Sequence, residues 1–267
     1  MLRVGVMVIC ALAAVSAMDA QTKKAPPKNP AAPAPAGPKK EMPVPFKAGE
    51  VLEYDVGWSS YVTAGTATVT VREKKASYNS VAYYVVAEGR PTPLLSKLYT
   101  LYYKADTLVD VYNLLPQRGS LYVEEGKRHR MKTTTFDQAK RQAKYEVQTA
   151  TRVERTIALP PMTQDSLSAL YVLRCIPMKP GDKFNMPVTD AGDVYKVQMQ
   201  VAALESLKTP LGTLNALKIV PVITGSKSEP PRGLAIWISD DARRLPLKIE
   251  AQLAVGKFVV SLRKVAG

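Results

Sequence analysis

Residues 65–72 read GTATVTVR, and this stretch decides the fold class. Small or apolar side chains occupy every second position, and polar side chains fill the positions between them, from Thr66 to Val71. Because successive side chains of a β-strand point to opposite faces, this alternation predicts a strand with one buried face and one wet face. We therefore expect a core built from strands of this kind.

Strand patterns recur on both sides of this stretch. Residues 51–58 (VLEYDVGW) alternate in the same way, and residues 80–89 (SVAYYVVAEG) are rich in Val and Tyr. The remaining predicted strands are 107–113, 118–124, 129–136, 141–148, 151–158, 182–188, 194–204, 213–222, 233–239, 246–254 and 257–264. Short glycine-bearing turns at 124–127, 190–193 and 210–213 leave no room for crossover helices, which predicts antiparallel pairing. Residues 94–106 fit either a helical turn or a Tyr-rich strand.

One clear helix is predicted among the strands, at about residues 165–176. Apolar side chains recur there at three- and four-residue spacing, Thr163 or Asp165 can cap the start, and Pro177 ends it. The apolar stripe of a lone helix needs an apolar partner, so we expect it on the sheet, with Ser166, Ser168 and Arg174 on its wetter side. The predicted fold is mainly β: a strongly curved antiparallel sheet or incomplete β-barrel, with this helix packed on the concave side.

Residues 1–20 are predicted to be a secretory signal peptide. Arg3 precedes an uncharged apolar run, and small residues follow that run. The run is shorter than the roughly 20 residues that a bilayer span needs, and no later segment approaches that length. Cys10 follows Ile9, whereas a lipidated cysteine follows a small residue. We expect an exported protein, periplasmic or secreted and not lipidated; the alternative is an uncleaved N-terminal anchor.

The region between the leader and the strands is compositionally distinct. Residues 21–45 are rich in Pro, Ala and Lys and contain no aromatic residue. Such a segment cannot bury a core and is predicted to be a disordered, partly polyproline-II tether. The rest of the chain, 46–267, is long enough for one sizeable core, which predicts a single β-rich domain.

Residues that carry catalysis are scarce in this sequence. His129 is the only histidine, and Cys175 is the only cysteine after the leader. A Ser-His-acid triad or a Cys-His pair would have to use this one histidine, which lies in a basic strand. The sequence contains no EF-hand, HExxH, CxxC or phosphate-binding glycine loop. We therefore expect no enzymatic activity, no cofactor and no metal.

The charge of the chain points to anionic partners. The formal net charge is +14, and residues 118–155 contain ten Arg and Lys against five Asp and Glu. Pairing of strands 129–136 and 141–148 would gather five basic residues on one ribbon able to meet an anionic surface. These residues are Arg128, Arg130, Lys132, Lys140 and Lys144. The alternative is a solvated hairpin whose charges protect a sheet edge. Nucleic acid is not expected as a partner of an exported protein, and the oligomeric state is open.

Two functions follow as alternatives. The first is binding of an apolar or amphipathic envelope component, such as a lipid or the acyl chain of a lipoprotein. The candidates for lining its cavity are Leu94, Leu95, Leu98, Tyr99, Tyr102, Leu170 and Tyr171. Alternatively, these side chains fill the core. The second function is an envelope scaffold or adaptor that binds proteins or anionic wall and membrane polymers through the basic ribbon.

The C-terminal stretch is the most recognisable part of the chain. Residues 238–262 read ISDDARRLPLKIEAQLAVGKFVVSL. Other characteristic pieces are FKAGEVLEYDVGW (46–58), AGTATVTV (64–71), LSKLYTLYYKADTLVD (95–110), QDSLSALYVLR (164–174) and TPLGTLNALKIVP (209–221). Together, and in this order over 46–267, they resemble a family of exported bacterial proteins that is classified as a domain of unknown function. The resemblance implies export and a β-rich fold, and it implies no activity and no functional residue.

The chemistry of the C-terminal motif predicts a structural role. Asp240 and Asp241 end one predicted strand, and Arg243 and Arg244 precede the next. An Asp that accepts hydrogen bonds from turn amides, with an Arg paired beside it, fixes a turn. We therefore expect this motif to hold the chain rather than to bind a ligand.

Overall fold

A computed structural model describes residues 39–59, 62–98, 100–148, 152–224, 232–253 and 256–267. The predicted leader and most of the predicted tether lie outside the described residues. The strands are β1 (Val51–Trp58), β2 (Val62–Ser77), β3 (Ser80–Pro91), β4 (Leu101–Asp110), β5 (Pro116–Glu125), β6 (Arg128–Asp137), β7 (Gln142–Gln148), β8 (Arg152–Ala158), β9 (Gln164–Asp165), β10 (Lys183–Asn185), β11 (Val188–Asp190), β12 (Asp193–Thr209), β13 (Gly212–Thr224), β14 (Arg232–Ser239), β15 (Pro246–Leu253) and β16 (Gly256–Ala266). The helices are α1 (Pro93–Leu98) and α2 (Ser166–Cys175). Among the described residues, no helix has the length and apolar character that a membrane crossing requires.

The described strands form one open, curved sheet. From one edge, β8 to β1 follow each other in reverse chain order, β16 then pairs with β1, and the order continues through β15 to β11 and β9. The described pairs are antiparallel except for the short pair of β9 with β11. The turns at 124–127, 190–193 and 210–213 join antiparallel neighbours, as the glycine pattern predicted. The predicted fold, a curved antiparallel sheet with a helix on its concave side, is confirmed.

Helix α2 lies inside the curve, where a capping box fixes its start and apolar side chains on its faces pack on the sheet. The Asp165 carboxylate accepts hydrogen bonds from the backbone amides of Leu167 and Ser168, both at 2.9 Å, and the Ser168 hydroxyl completes a capping box. Leu167 packs with strands β1–β4 and β14–β16 in the main core. Leu173 packs with β11–β13 in a second core cluster. The helix therefore joins the two halves of the sheet.

The prediction of a wetter side is wrong for Ser168, which is buried, and for Arg174. The Arg174 side chain is fully buried and forms two hydrogen bonds with the Glu50 carboxylate, at 2.5 and 2.8 Å. Its guanidinium also donates to the carbonyls of Arg243 and Arg244, each at 3.1 Å. The rings of Phe46 and Tyr171 lie about it, 5.2 and 5.1 Å from the guanidinium carbon. Helical spacing alone cannot reveal this, because Glu50 lies 124 residues away in the chain.

The C-terminal motif holds the turn that Arg174 contacts. The Asp241 carboxylate accepts hydrogen bonds from the backbone amides of Arg243 and Arg244, both at 3.1 Å. It also accepts one from the Ser239 hydroxyl at 2.7 Å, and it pairs with the Arg243 side chain. The Arg244 guanidinium donates to the Ile176 carbonyl at 2.8 Å, just past the end of α2. The predicted turn chemistry is confirmed, and the turn also anchors the helix.

The structure shows that the domain begins earlier than predicted, and it resolves the ambiguous stretch 94–106. Residues 39–45, assigned above to the tether, contact the domain: the Met42 amide donates to the Val111 carbonyl at 2.8 Å, and Glu41 pairs with Lys74. Val44 packs against the main core. In the ambiguous stretch 94–106, both readings apply, because helix α1 ends before strand β4 begins.

Candidate functional site

The described apolar candidates differ in their surroundings. Tyr171 is only 1% exposed and packs edge to face on Phe46, with ring centroids 4.8 Å apart, so it is a core residue. Leu170 is partly buried against the same core. On α1, Leu94 is 73% exposed and Leu95 is partly exposed.

Tyr102 forms contacts with neighbouring side chains on the sheet. The Tyr102 hydroxyl donates to the Glu88 carboxylate at 2.8 Å, and the Arg90 guanidinium lies over its ring. Tyr99 and the side chain of Leu98 lie outside the described residues. The described candidates thus include a core residue and surface residues, and their role in lining a ligand site stays a prediction.

Strands β6 and β7 pair as predicted, so the basic candidates lie on one ribbon, but their side chains lie on two opposite faces of it. Residues directly opposite each other in an antiparallel pair share a face. Lys132 lies opposite both Leu121 and Val147, so Lys132 and its alternate neighbours Arg130 and Arg128 face the concave side with Leu121. Lys144, three residues before Val147, faces the convex side, and Lys140 lies in the β6–β7 turn.

The convex-side lysines are already neutralised. Lys144 pairs with Glu146 at 3.2 Å and with Glu154 at 3.3 Å. Lys140 pairs with Asp137 at 2.8 Å across the turn. Exposed pairs of this kind contribute little to stability, yet they cancel most of the local field that an approaching anion would meet.

The concave-side cations are not neutralised in this way. None of Arg128, Arg130 and Lys132 forms an ion pair with another residue that the structure describes. Arg128 and Arg130 are exposed, and Lys132 is partly exposed. Glu125 lies opposite Arg128, where its carboxylate accepts a hydrogen bond from the Tyr103 hydroxyl at 2.7 Å. A local excess of positive charge therefore faces the inside of the curve.

Apolar side chains surround these cations. Val123 lies opposite Arg130, and Val147 lies opposite both Lys132 and Val153. Val153 is 49% exposed, and Leu121, Val123 and Val147 are only partly buried. This surface is here named the basic inner face, and it comprises Leu121, Val123, Arg128, Arg130, Lys132, Val147 and Val153. It combines unpaired cations with exposed apolar area.

The basic inner face ends at a seam where the sheet approaches itself without strand pairing. The Arg155 guanidinium on β8 donates to the Ala191 carbonyl in the β11–β12 turn at 3.2 Å. Gly192 of that turn has φ +82°, and a Cβ there would lie 2.6 Å from a ring carbon of Tyr145. Glycine is thus required both by conformation and by contact. On the other side of the seam, the Thr107 hydroxyl donates to Asp165 at 2.6 Å.

A small cavity of ≈ 50 Å³ lies in the seam, lined by Lys132, Tyr145, Leu167, Asp190 and others. Burial raises the pKa of Asp190 to about 6, against the opposing charge of Lys132, and the Asp165 carboxylate adds to the rise. Burial also raises the pKa of Asp165, although Thr107 and helix amides donate to it. The cavity is too small for more than a water molecule or two, so its acids contribute to the seam and not to a ligand pocket.

The candidates for catalysis lie apart from this surface. His129 is exposed on the convex side, and its Nδ1 lies 3.1 Å from the Tyr122 hydroxyl. Cys175 is partly buried against the core, and burial raises its thiol pKa to about 11, so the thiol stays protonated at neutral pH. Within the described residues, no group of three or more His, Cys, Asp or Glu side chains could hold a metal ion.

Sequence reasoning missed the apolar half of the basic inner face. Leu121, Val123, Val147 and Val153 were read as ordinary strand residues. Their alternation carried the signal that they share one face. The strand register, which places them beside Arg130 and Lys132, has no signature in the sequence.

Comparisons with known proteins agree with this fold and supply no activity. The family described as protein of unknown function (DUF3108) matches residues 53–263. No curated protein matches the chain. A solved beta-barrel-like protein of domain of unknown function DUF1849 from Brucella abortus has a TM-score of 0.51 and 9% identity, over 82% of this chain and 97% of that chain.

Two further solved structures are less similar. One is a candidate exported protein with a YmcC-like fold from Bacteroides fragilis, with a TM-score of 0.35 and 10% identity over 85% of this chain and 100% of that chain. The other, a candidate lipoprotein from Parabacteroides distasonis, has the same TM-score, identity and coverage.

Proposed function

Because this chain belongs to the DUF3108 family, whose description gives no activity, we propose its function from its own geometry: it is a non-enzymatic cell-envelope protein that binds an anionic amphipathic ligand, such as a lipid, on the basic inner face. The observation that carries the proposal is the presence of unpaired Arg128, Arg130 and Lys132 beside exposed apolar side chains on one concave surface.

The chemistry of that surface suits both ends of an anionic lipid. Arginine is always charged and forms forked hydrogen bonds with phosphate, so Arg128 and Arg130 suit a headgroup. Val147 and Val153 offer apolar area to an acyl chain, and removing that area from water stabilises a complex by about 25 cal/mol per Å². Exposed apolar area rimmed by polar groups is typical of interaction surfaces.

A second function is an envelope adaptor that binds anionic polymers through Arg128 and Arg130 alone. Their exposure and lack of ion pairs favour it as well. The two functions differ in whether the apolar part of the surface takes part. Export to the periplasm or beyond, predicted from the leader, is the setting in which either would act.

Binding to vesicles tests the proposal. We expect the chain from residue 21 onward to bind phosphatidylglycerol vesicles, and to bind phosphatidylcholine vesicles much less. Replacing Arg128 and Arg130 by Ala should weaken binding roughly 30-fold, since each basic residue near an anionic surface is worth about 1 kcal/mol. The matched control is Lys140→Ala with Lys144→Ala, which removes the same charge from the convex side and should leave binding nearly unchanged. Equal losses in both variants would contradict a defined site.

The apolar arm separates the two functions. Val153→Ser should weaken lipid binding, while the control Val222→Ser, at an apolar side chain of similar exposure (38%) on β13, should not. If Val153→Ser has no effect and the Arg128 and Arg130 variant loses binding, the adaptor function stands. Absence of any binding to anionic vesicles would exclude both.

A further inference from the structure

A polar cleft lies at the opposite end of strands β5–β7 from the basic inner face. Its volume is ≈ 600 Å³, within the range of about 300–1,000 Å³ that is typical of small-molecule sites. Its walls come from the β2–β3, β4–β5 and β6–β7 turns and from the strand ends beside them. The cleft shares no lining residue with the basic inner face.

The charged side chains of this cleft are satisfied internally. The Asp110 carboxylate accepts hydrogen bonds from the Ser80 hydroxyl at 2.5 Å and from the Gln117 amide at 3.0 Å, as well as from two backbone amides of its turn. Asp137 pairs with Lys140, and Lys144 pairs with two glutamates. Each charged side chain of the lining thus has hydrogen-bond or ion-pair partners within the protein, and the free hydrogen-bonding groups of the cleft are neutral.

The neutral groups of the cleft are amides and hydroxyls, and hydrogen bonds to the protein hold two of the amides in place. The Gln138 side-chain nitrogen donates to the Thr163 carbonyl at 3.1 Å, and this bond holds the Gln138 amide in place. The Gln117 nitrogen is held by Asp110, and its buried oxygen has no hydrogen-bond partner among the described residues. An unsatisfied buried acceptor is costly unless a donor reaches it. Gln142 and Thr156 add exposed groups to the cleft lining.

An exposed aromatic ring completes the wall. Tyr78 is 55% exposed and occupies the left-handed region at φ 47°, in a two-residue hairpin turn with Asn79. That region is usual for Gly and Asn, whereas a bulky side chain there is strained. The turn thus carries a tyrosine in the cleft wall at a conformational cost, and strain of this kind is concentrated at functional sites.

We infer that this cleft binds a neutral saccharide. Each sugar hydroxyl both donates and accepts hydrogen bonds, which matches side-chain amides and hydroxyls with both capacities. The C–H face of a sugar ring is apolar and can pack on the ring of Tyr78, which is itself apolar in its body and polar at its tip. The lining has no unpaired cation to attract an anion, which separates this ligand class from the anionic ligand of the basic inner face.

Calorimetric titration of the chain from residue 21 onward with two neutral probes, N-acetylchitotetraose and cellotetraose, tests the inference. We expect millimolar or tighter binding of at least one probe. Tyr78→Gly removes the ring and suits the left-handed backbone, so it should weaken binding roughly tenfold without unfolding the chain. Tyr78→Phe keeps the ring and should retain most of the affinity.

Strand β7 offers a matched control for the amides. Gln142→Ala should weaken binding, whereas Gln148→Ala, at the same residue type on the same strand face but at its far end, should not. Binding by neither probe overturns the inference, as does full affinity in Tyr78→Gly or in Gln142→Ala. Because the probes are uncharged and lipid-free, failure here leaves the vesicle experiment unaffected.

Discussion

Removal of the Glu50 carboxylate should destabilise the protein more than any exposed ion-pair variant. In Glu50→Ala, the fully buried Arg174 guanidinium loses both of its charged acceptors and keeps two carbonyl acceptors in the 243–244 turn. Breaking one partner out of a buried pair costs about 3–5 kcal/mol, because the remaining charge stays buried. For a domain of this size, that corresponds to a fall in Tm of roughly 6–20 °C.

A matched exposed pair provides the control. Arg263 and Glu53 join β16 to β1 at 2.8 Å with an Arg side chain that is 45% exposed, so Glu53→Ala should cost much less stability than Glu50→Ala. Chemical unfolding of both variants, with the same m-value, measures the difference. A loss in Glu50→Ala no larger than that in Glu53→Ala would refute the reasoning.

A double variant measures the coupling between Glu50 and Arg174. Glu50→Leu with Arg174→Met removes both charges, and such apolar replacement of a buried pair is often close to neutral. Here the carbonyls of Arg243 and Arg244 lose their donors, and each unsatisfied buried group costs about 1–3 kcal/mol. The double variant should therefore remain less stable than the native chain, but by less than the sum of the two single losses. Strict additivity would mean that the pair is not coupled.

Three further predictions concern the seam, the helix and the N-terminal segment. Burial raises the pKa of Asp190 to about 6, above its unfolded value. Protonated Asp190 therefore contributes its full stabilisation below about pH 4, and this contribution is lost as the pH rises through about 6. Asp190→Asn should avoid that loss, so its free energy of unfolding at neutral pH should exceed that of the native chain by at most about 3 kcal/mol. If the free energies of unfolding in urea of the two proteins run parallel from about pH 4 to 7, the prediction is wrong. Leu173→Ala should cost about 2–5 kcal/mol, and Leu94→Ala, at an exposed residue, less than about 0.5 kcal/mol in the same assay. Deleting residues 21–38 should leave the Tm unchanged, whereas extending the deletion through 39–45 should lower it, since the Met42 hydrogen bond and the Val44 packing are lost.

The fold was predictable because its signals are local. Alternation in 65–72 marks a half-buried strand, glycine turns join neighbours, and Asp165 with Pro177 brackets the helix. Each of these patterns acts within a few residues, so the sequence carries it directly. Asp241 belongs to the same class, since an Asp that caps its own turn needs no distant partner.

The errors all concern long-range pairing. Arg174 looked solvent-facing because its partner Glu50 lies 124 residues away. The basic residues lie on one ribbon as predicted, but the sequence pattern did not divide them between its two faces, because only the register places Lys132 opposite Val147. A shift of one residue would exchange the two faces, and turn length alone did not decide between them. Composition predicted the positive charge of residues 118–155. Only the register separates the lysines that form ion pairs from the cations of the basic inner face.

The buried pair also limits where a ligand can bind. A ligand in the part of the curve that α2 occupies would have to displace the helix, whose Tyr171 and Leu173 pack in the two core clusters. Moving the helix would separate Arg174 from Glu50 and from the 243–244 turn, at a cost of several kcal/mol before any ligand contact forms. A ligand on the basic inner face pays no such cost, because Arg130 and Val153 are exposed already. The proposed site on the uncovered strands β5–β8 does not use the helix, so Glu50→Ala, by loosening the helix, should reduce stability without weakening vesicle binding in the fraction that remains folded.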